Sequence, residues 1–198
     1  MESVYSNILD LMVTKGYISK ENQDLYLYAM KVLFRSIINM TALFVTGIVL
    51  GLLKESIFMF LSFFVLRKFA GGLHSDKYIT CFVSSLFISI SGLLLIKNAW
   101  FVSKNIFTII MLVSASLIVV FSPVKHPNKE ISNKEEKIYK VFSSVLSVAI
   151  CGLSILLIFN EFGVETGYSL GTGLITSSLL MIAGKFKLSK KLKEEKGK

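Results

Sequence analysis

Arg67-Lys68-Phe69-Ala70-Gly71-Gly72-Leu73-His74-Ser75-Asp76-Lys77-Tyr78-Ile79-Thr80-Cys81 is a polar, glycine-containing island between two hydrophobic segments. It holds one of the chain's two histidines and one of its two cysteines. Outward from it run apolar stretches, and a helix of about 20 apolar residues is enough to cross a bilayer. The 198 residues are 53% hydrophobic with a mean hydropathy of +0.66. Charged residues make up only 18%, gathered in short clusters, against about 25% in soluble chains. The sequence therefore predicts an all-α polytopic membrane protein with about six transmembrane helices and an N-terminal amphipathic helix. A single integral-membrane domain over 1–198 is expected.

Toward the N-terminus, Ser56 to Leu66 is an apolar run of 11 residues, suited to a short or re-entrant helix. Before it, a helix capped by Ser19, with Glu21 and Asp24 in its first turns, is expected to enter the bilayer and to span from about Val32 to Leu53. Val4, Ile8, Leu11 and Met12 recur at helical spacing over residues 3 to 15, so 1–18 reads as an amphipathic helix on the membrane surface that stops at Gly16. No basic-then-apolar leader ending in small residues is visible.

Toward the C-terminus, Tyr78 to Ile96 makes a span and Lys97-Asn98 a tight turn. Trp100 to Phe121 returns, with Trp100 as an interfacial aromatic. Ser122 to Lys137 is a hydrophilic loop holding both prolines, Pro123 and Pro127. Tyr139 to Phe159 and Tyr168 to Ala183 are the last two spans, followed by a basic tail over 185–198.

The island, the proline loop and the tail carry three, four and seven Lys or Arg, whereas the 160–167 turn has none. The positive-inside rule puts both termini, the island and the proline loop on the cytoplasmic side. That requires Ser56–Leu66 to cross, which gives six spans; a re-entrant segment would give five. The net charge of +9 fits this membrane asymmetry and calls for no nucleic-acid partner.

A cysteine and a histidine held together make a nucleophile and its base. On one continuous helix His74 and Cys81 would share a face but stand about 10 Å apart along the axis, with Cys81 leaning toward His74 while His74 leans away. Gly71-Gly72 permits the backbone angles of a break, and Ser75 or Asp76 can cap a helix beginning after the histidine. A helix break between Ala70 and Ser75 is therefore expected, with Gly71-Gly72 N–H groups as oxyanion donors and Arg67 or Lys68 near the thiolate. Asp76 and Asn39 are the available third residues.

The residues alone leave plainer readings open: an inert packing thiol, a solvated imidazole, a simple glycine turn. Cys151, between Ile150 and Gly152, reads as packing, and His126 as surface. Two cysteines give no disulfide framework. His74, Cys81 and Asp76 form no recognisable metal-ligand pattern, so neither metal nor cofactor is expected. A small membrane transporter or exporter of peptides is the rival class, but it needs intramembrane charges or paired broken helices, and the sequence has neither.

Through Arg67, Ala70-Gly71-Gly72, His74 and Cys81 at the same His-to-Cys spacing, the island resembles the AgrB family of accessory gene regulator proteins of Gram-positive bacteria. Pro123-Val124-Lys125-His126-Pro127-Asn128-Lys129 is similar to that family's proline- and basic-rich loop, with Glu130 where another proline is common. Length, amphipathic start and number of hydrophobic segments fit along the whole chain. The resemblance implies a cysteine endopeptidase of the bacterial cell membrane that matures a quorum-sensing propeptide of the AgrD type. It implies Cys81 as nucleophile and His74 as general base, with Arg67, Gly71 and Gly72 in support. It further implies a thioester acyl-enzyme resolved by cyclisation to a thiolactone or lactone, and it admits a homodimer. Precursors in that family carry an amphipathic leader and an acidic tail.

Overall fold

Glycines in the left-handed backbone region and one Ser-Pro step set where several of the helices stop. The computed structural model describes the backbone of residues 2–19, 22–71, 78–98, 103–124, 132–160 and 163–196. Among these are seven helices and no strand: α1 (Glu2–Thr14), α2 (Gln23–Val49), α3 (Leu53–Ala70), α4 (Tyr78–Lys97), α5 (Lys104–Phe121), α6 (Asn133–Phe159) and α7 (Val164–Lys196). They form two compact units, Met1–Leu43 and Phe44–Lys198.

In the first unit α1 ends as the sequence predicts. Gly16 has φ +73, its N–H bonds the Val13 carbonyl, and the Tyr17 N–H reaches back to Met12, both at 3.0 Å. This pair satisfies carbonyls that the helix end would otherwise leave open. Leu9 is buried while Ile8 and Leu11 are exposed. Ser19 accepts the Asn22 N–H on its carbonyl at 3.1 Å and the Asn22 side-chain amide on its hydroxyl at 3.1 Å. Gln23 bridges to the Asp10 carboxylate at 3.2 Å.

The second unit corrects the bounds of four helices. The span expected to run to Leu53 stops at Val49. Gly51 (φ +70) donates to Ile48 and Leu52 to Gly47, repeating the Gly16 device one hairpin later. The 11-residue run Ser56–Leu66 is the middle of an 18-residue helix, about 27 Å long at 1.5 Å per residue. Its charged ends extend it, because Glu55 in the first turn and Arg67 and Lys68 in the last complement the helix dipole.

α6 begins at Asn133 rather than Tyr139, where the Glu135 carboxylate accepts the Ser132 N–H at 3.0 Å. α7 does not end at Ala183 but continues as helix through Lys196, so most of the basic tail is the last part of that helix. The turn at Asn98 and the end of α5 at Phe121 match expectation. Asn98 caps α4 by donating to the Leu94 carbonyl. Ser122 is extended (φ −81, ψ 155) before Pro123, because the proline ring crowds a helical residue ahead of it. Trp100 lies outside the described residues.

Among the described residues, three helical segments are long and apolar enough to cross a membrane: Lys104–Phe121, Lys134–Phe159 and Val164–Ser189. α3 carries four charges, Lys54, Glu55, Arg67 and Lys68, at its ends. α2 and α4 contribute shorter apolar stretches, Ile37–Val49 and Leu86–Lys97.

α7 is the axis of this unit and touches α3, α4, α5 and α6. Its spanning window is 56% buried, against 28% for α5 and α6. It is also the least apolar of the three. Close packing explains this, because helices in lipid approach through small residues rather than through hydrophobic attraction. Ser169, Thr172, Ser177 and Ser178 of α7 are buried, as are Ser143, Ser147, Cys151 and Ser154 of α6.

The tightest approach is at Gly173, where an added Cβ would meet the Ser62 hydroxyl and the Met59 carbonyl of α3. Gly173→Ala is therefore expected to destabilise the detergent-solubilised protein by about 1–3 kcal/mol, read as a lowered Tm. Gly152→Ala, where nothing lies within 4 Å, is the control and should not lower it.

Candidate functional site

The island's first five residues are described in full, and they form the end of α3. Leu66 and Ala70 are fully buried, one turn apart. Phe69 stacks on Phe142 of α6 (centroids 5.3 Å, planes 16° apart) and meets Tyr139 edge-on at 6.1 Å. Lys68 Nζ stands 5.6 Å from the Phe69 ring. These contacts fix the rotation of the last turn of α3 against the first half of α6.

Gly71 breaks the helix with φ +73 and ψ −159, a region essentially open to glycine alone. The expected interruption between Leu66 and Cys81 is therefore present. One expected role changes. The Gly71 N–H caps α3 by bonding the Arg67 carbonyl at 3.2 Å, so it is engaged and is not an oxyanion donor. Arg67 turns back toward the same break, its Nη1 3.5 Å from the Gly71 carbonyl.

The break is also held from outside. The Val124 N–H donates to the Ala70 carbonyl at 3.0 Å. A Cβ on Gly71 would lie 2.7 Å from the Val124 carbonyl oxygen. Ser122, buried, pairs its hydroxyl with that of Ser143 at 2.6 Å. Ser143 donates its own proton to the Lys140 carbonyl, so Ser122 is the donor of the pair. Lys185 of α7 caps the Phe121 ring at 3.9 Å. In the sequence Ser122–Val124 opens the hydrophilic proline loop, and the local signal for its packing is Pro123 directly after an apolar run.

Cys81 belongs to the first turn of α4 by its backbone. Its side chain, and all of Gly72–Lys77 including His74 and Asp76, lie outside the described residues, as does His126. α3 and α4 touch where a Cβ on Gly92 would stand 3.0 Å from Met59 Sδ. Cys81 lies eleven residues before Gly92 along α4, about 16 Å of helix.

Of the remaining candidates, Asn39 lies in α2 in the first unit, its Oδ1 buried without a hydrogen-bond partner. Cys151 is a free, buried thiol on the face of α6 that carries Ser143 and Ser147. It sits eighteen residues beyond the start of its own helix. Cys151→Ala is expected to cost little stability, since a lone sulfur is a small volume change. A fall in Tm as large as that of Gly173→Ala would contradict that assignment.

Comparison with known proteins converges on one family. The chain is 27% identical to an AgrB-like protein of Clostridium perfringens (strain SM101 / Type A) over 169 residues, covering 82% of this chain and 76% of the relative. AgrB-like protein 2 of Clostridium perfringens (strain 13 / Type A) is 24% identical over 92% of this chain and 88% of its own. AgrB-like protein 1 of the same strain is 24% identical over 86% and 89%. No solved structure matches. The family profile for accessory gene regulator B matches residues 5–183, which takes in the island, the break at Gly71, the Ser122–Val124 segment and all but the end of α7. The chain belongs to the accessory gene regulator B (AgrB) family.

Proposed function

We propose that the protein is a membrane-embedded cysteine endopeptidase, with Cys81 as nucleophile and His74 as general base, acting on an AgrD-type propeptide. The observation that carries this reading is the glycine-only break at Gly71, with Cys81 in the first turn of the helix that follows. A cysteine there lies among the first N–H groups of α4, which lack intrahelical partners. The positive end of the dipole lowers a thiol's pKa. The same first-turn N–H groups, together with that of Gly72, take the oxyanion role that Gly71 does not fill.

His74 removes the thiol proton, and the thiolate attacks a peptide carbonyl of the precursor. The C–N bond breaks, His74 returns its proton to the departing amine, and the C-terminal tail leaves. The retained segment is then held on Cys81 as a thioester. A thiol or hydroxyl within that same segment has a high effective concentration at the thioester. An apolar surround keeps water scarce. Cyclisation therefore outruns hydrolysis, and a thiolactone or lactone is released.

Six spans follow from this reading, with α3 crossing on its charged ends and both termini and the site on the cytoplasmic side of the bacterial membrane. The test is co-expression with an AgrD-type precursor. Loss of its C-terminal tail should depend on this protein and be blocked by a thiol-alkylating reagent. Tail loss that persists after alkylation would exclude the thiol mechanism.

The lysines at the end of α7 are proposed to attract the precursor's acidic tail. Changing Lys190, Lys191, Lys193 and Lys196 to Gln is expected to raise KM several-fold at low salt. The difference should vanish near 1 M salt, where screening acts within about 3 Å. A KM that ignores both the substitutions and the salt would remove this role.

A further inference from the structure

The direction in which the chain leaves α3 is not set by the island alone. Beyond Ala70 the described chain reaches Gly71, in a conformation that other residues avoid. Such a conformation persists where the surroundings over-determine it, and here they come from a segment more than fifty residues away. Val124 supplies both contacts: its N–H holds the Ala70 carbonyl, and its carbonyl fills the space where a Gly71 side chain would be. Val124 is in turn anchored two residues earlier, where the buried Ser122 donates to Ser143 on α6. α6 also holds Phe69 between Phe142 and Tyr139. One helix therefore grips the last turn of α3 directly and, through Ser122–Val124, grips the residue after it.

We propose that Ser122–Val124 is a strap that fixes the Ala70–Gly71 turn and thereby aims the island toward the first turn of α4, making Ser122 and Val124 positioning residues for the thiol chemistry. This rests on the peptidase reading above. Neither residue touches substrate. Each acts through the backbone at Ala70–Gly71, the last described residues before the His-bearing segment.

The test uses the full chain in a Cys151→Ala background, so that Cys81 is the only thiol. Val124→Pro deletes the one N–H of the strap, Gly71→Ala obstructs its seat, and Ser122→Ala removes its anchor, with Ser122→Thr restoring the hydroxyl. Val124→Pro and Gly71→Ala are expected to lower kcat about tenfold or more with KM within about twofold, since misplacement by an ångström costs up to about 10²-fold. In both, the pH at which Cys81 becomes alkylated should move up toward that of an ordinary thiol, near 8.5. Ser122→Ala should shift both in the same direction by less, and Ser122→Thr should recover them.

A second measurement needs no catalysis. In a Cys81→Ser, Cys151→Ala chain, cysteines placed at Ala70 and Val124 should cross-link on oxidation. Failure to cross-link would overturn the contact. Cross-linking together with unchanged kcat and an unchanged alkylation profile in Val124→Pro and Gly71→Ala would overturn the positioning role. If Cys81→Ala still cleaves precursor, the peptidase reading falls and the positioning role falls with it, while the cross-link separately reports whether the strap exists.

Discussion

Cys81→Ala is expected to abolish removal of the precursor's C-terminal tail, lowering the rate by at least about 10³-fold, as removal of a nucleophile does elsewhere. The protein should still insert and keep its Tm, because the substitution removes one sulfur from the outermost turn of α4 and leaves the packing of Gly92, Leu93 and Ile96 untouched. Cys81→Ser should be nearly as inactive. A hydroxyl keeps its proton far above neutral pH, and neither an imidazole nor a helix N-terminus lowers its pKa enough to make an alkoxide. Assay of tail release by mass spectrometry, alongside a membrane-insertion control, decides the matter. Cleavage by Cys81→Ala at more than about one-tenth of the parent rate would end the proposed mechanism.

His74→Ala carries the next largest effect, a fall of about 10²–10⁴-fold in kcat at neutral pH, the range expected for loss of a positioned base. Its pH dependence distinguishes a base from a residue that only supports the fold. Without an imidazole the thiol must ionise with only the helix end to help it, closer to the ordinary thiol value near 8.5. The deficit should therefore narrow as the pH rises through 8 to 9, and alkylation of the thiol should show the same upward displacement. A deficit equal at pH 7 and pH 9 would point to misfolding or lost binding instead.

The parts of this fold that the sequence announces are those with a local cause. Gly16 ends α1 because only a residue comfortable at positive φ closes that turn, and Pro123 ends α5 because the residue before it cannot stay helical. The break at Gly71 is legible for the same reason. Charged residues mislead where they lie at helix ends: Glu55, Arg67 and Lys68 look like boundaries of an 11-residue run, yet their placement extends α3. Ser132-Asn133-Lys134-Glu135 carries a capping signature that lies inside what reads as loop. The axial position of α7 is hidden because its serines and glycines look weakly apolar, when they are what lets four helices approach it. The Ser122–Val124 strap leaves least trace. It is a contact between positions more than fifty residues apart, made mostly by backbone atoms that any sequence would supply.

The length of α7 has a mechanical corollary. Thirty-three residues in unbroken helix measure about 50 Å, roughly 20 Å more than the hydrocarbon of a bilayer is thick. The seven residues that follow Ser189, four of them lysines, are part of the same rod. Their backbone spacing along the axis is therefore set by the helix and not by a flexible tail, so whatever positions the buried part of α7 also positions these charges.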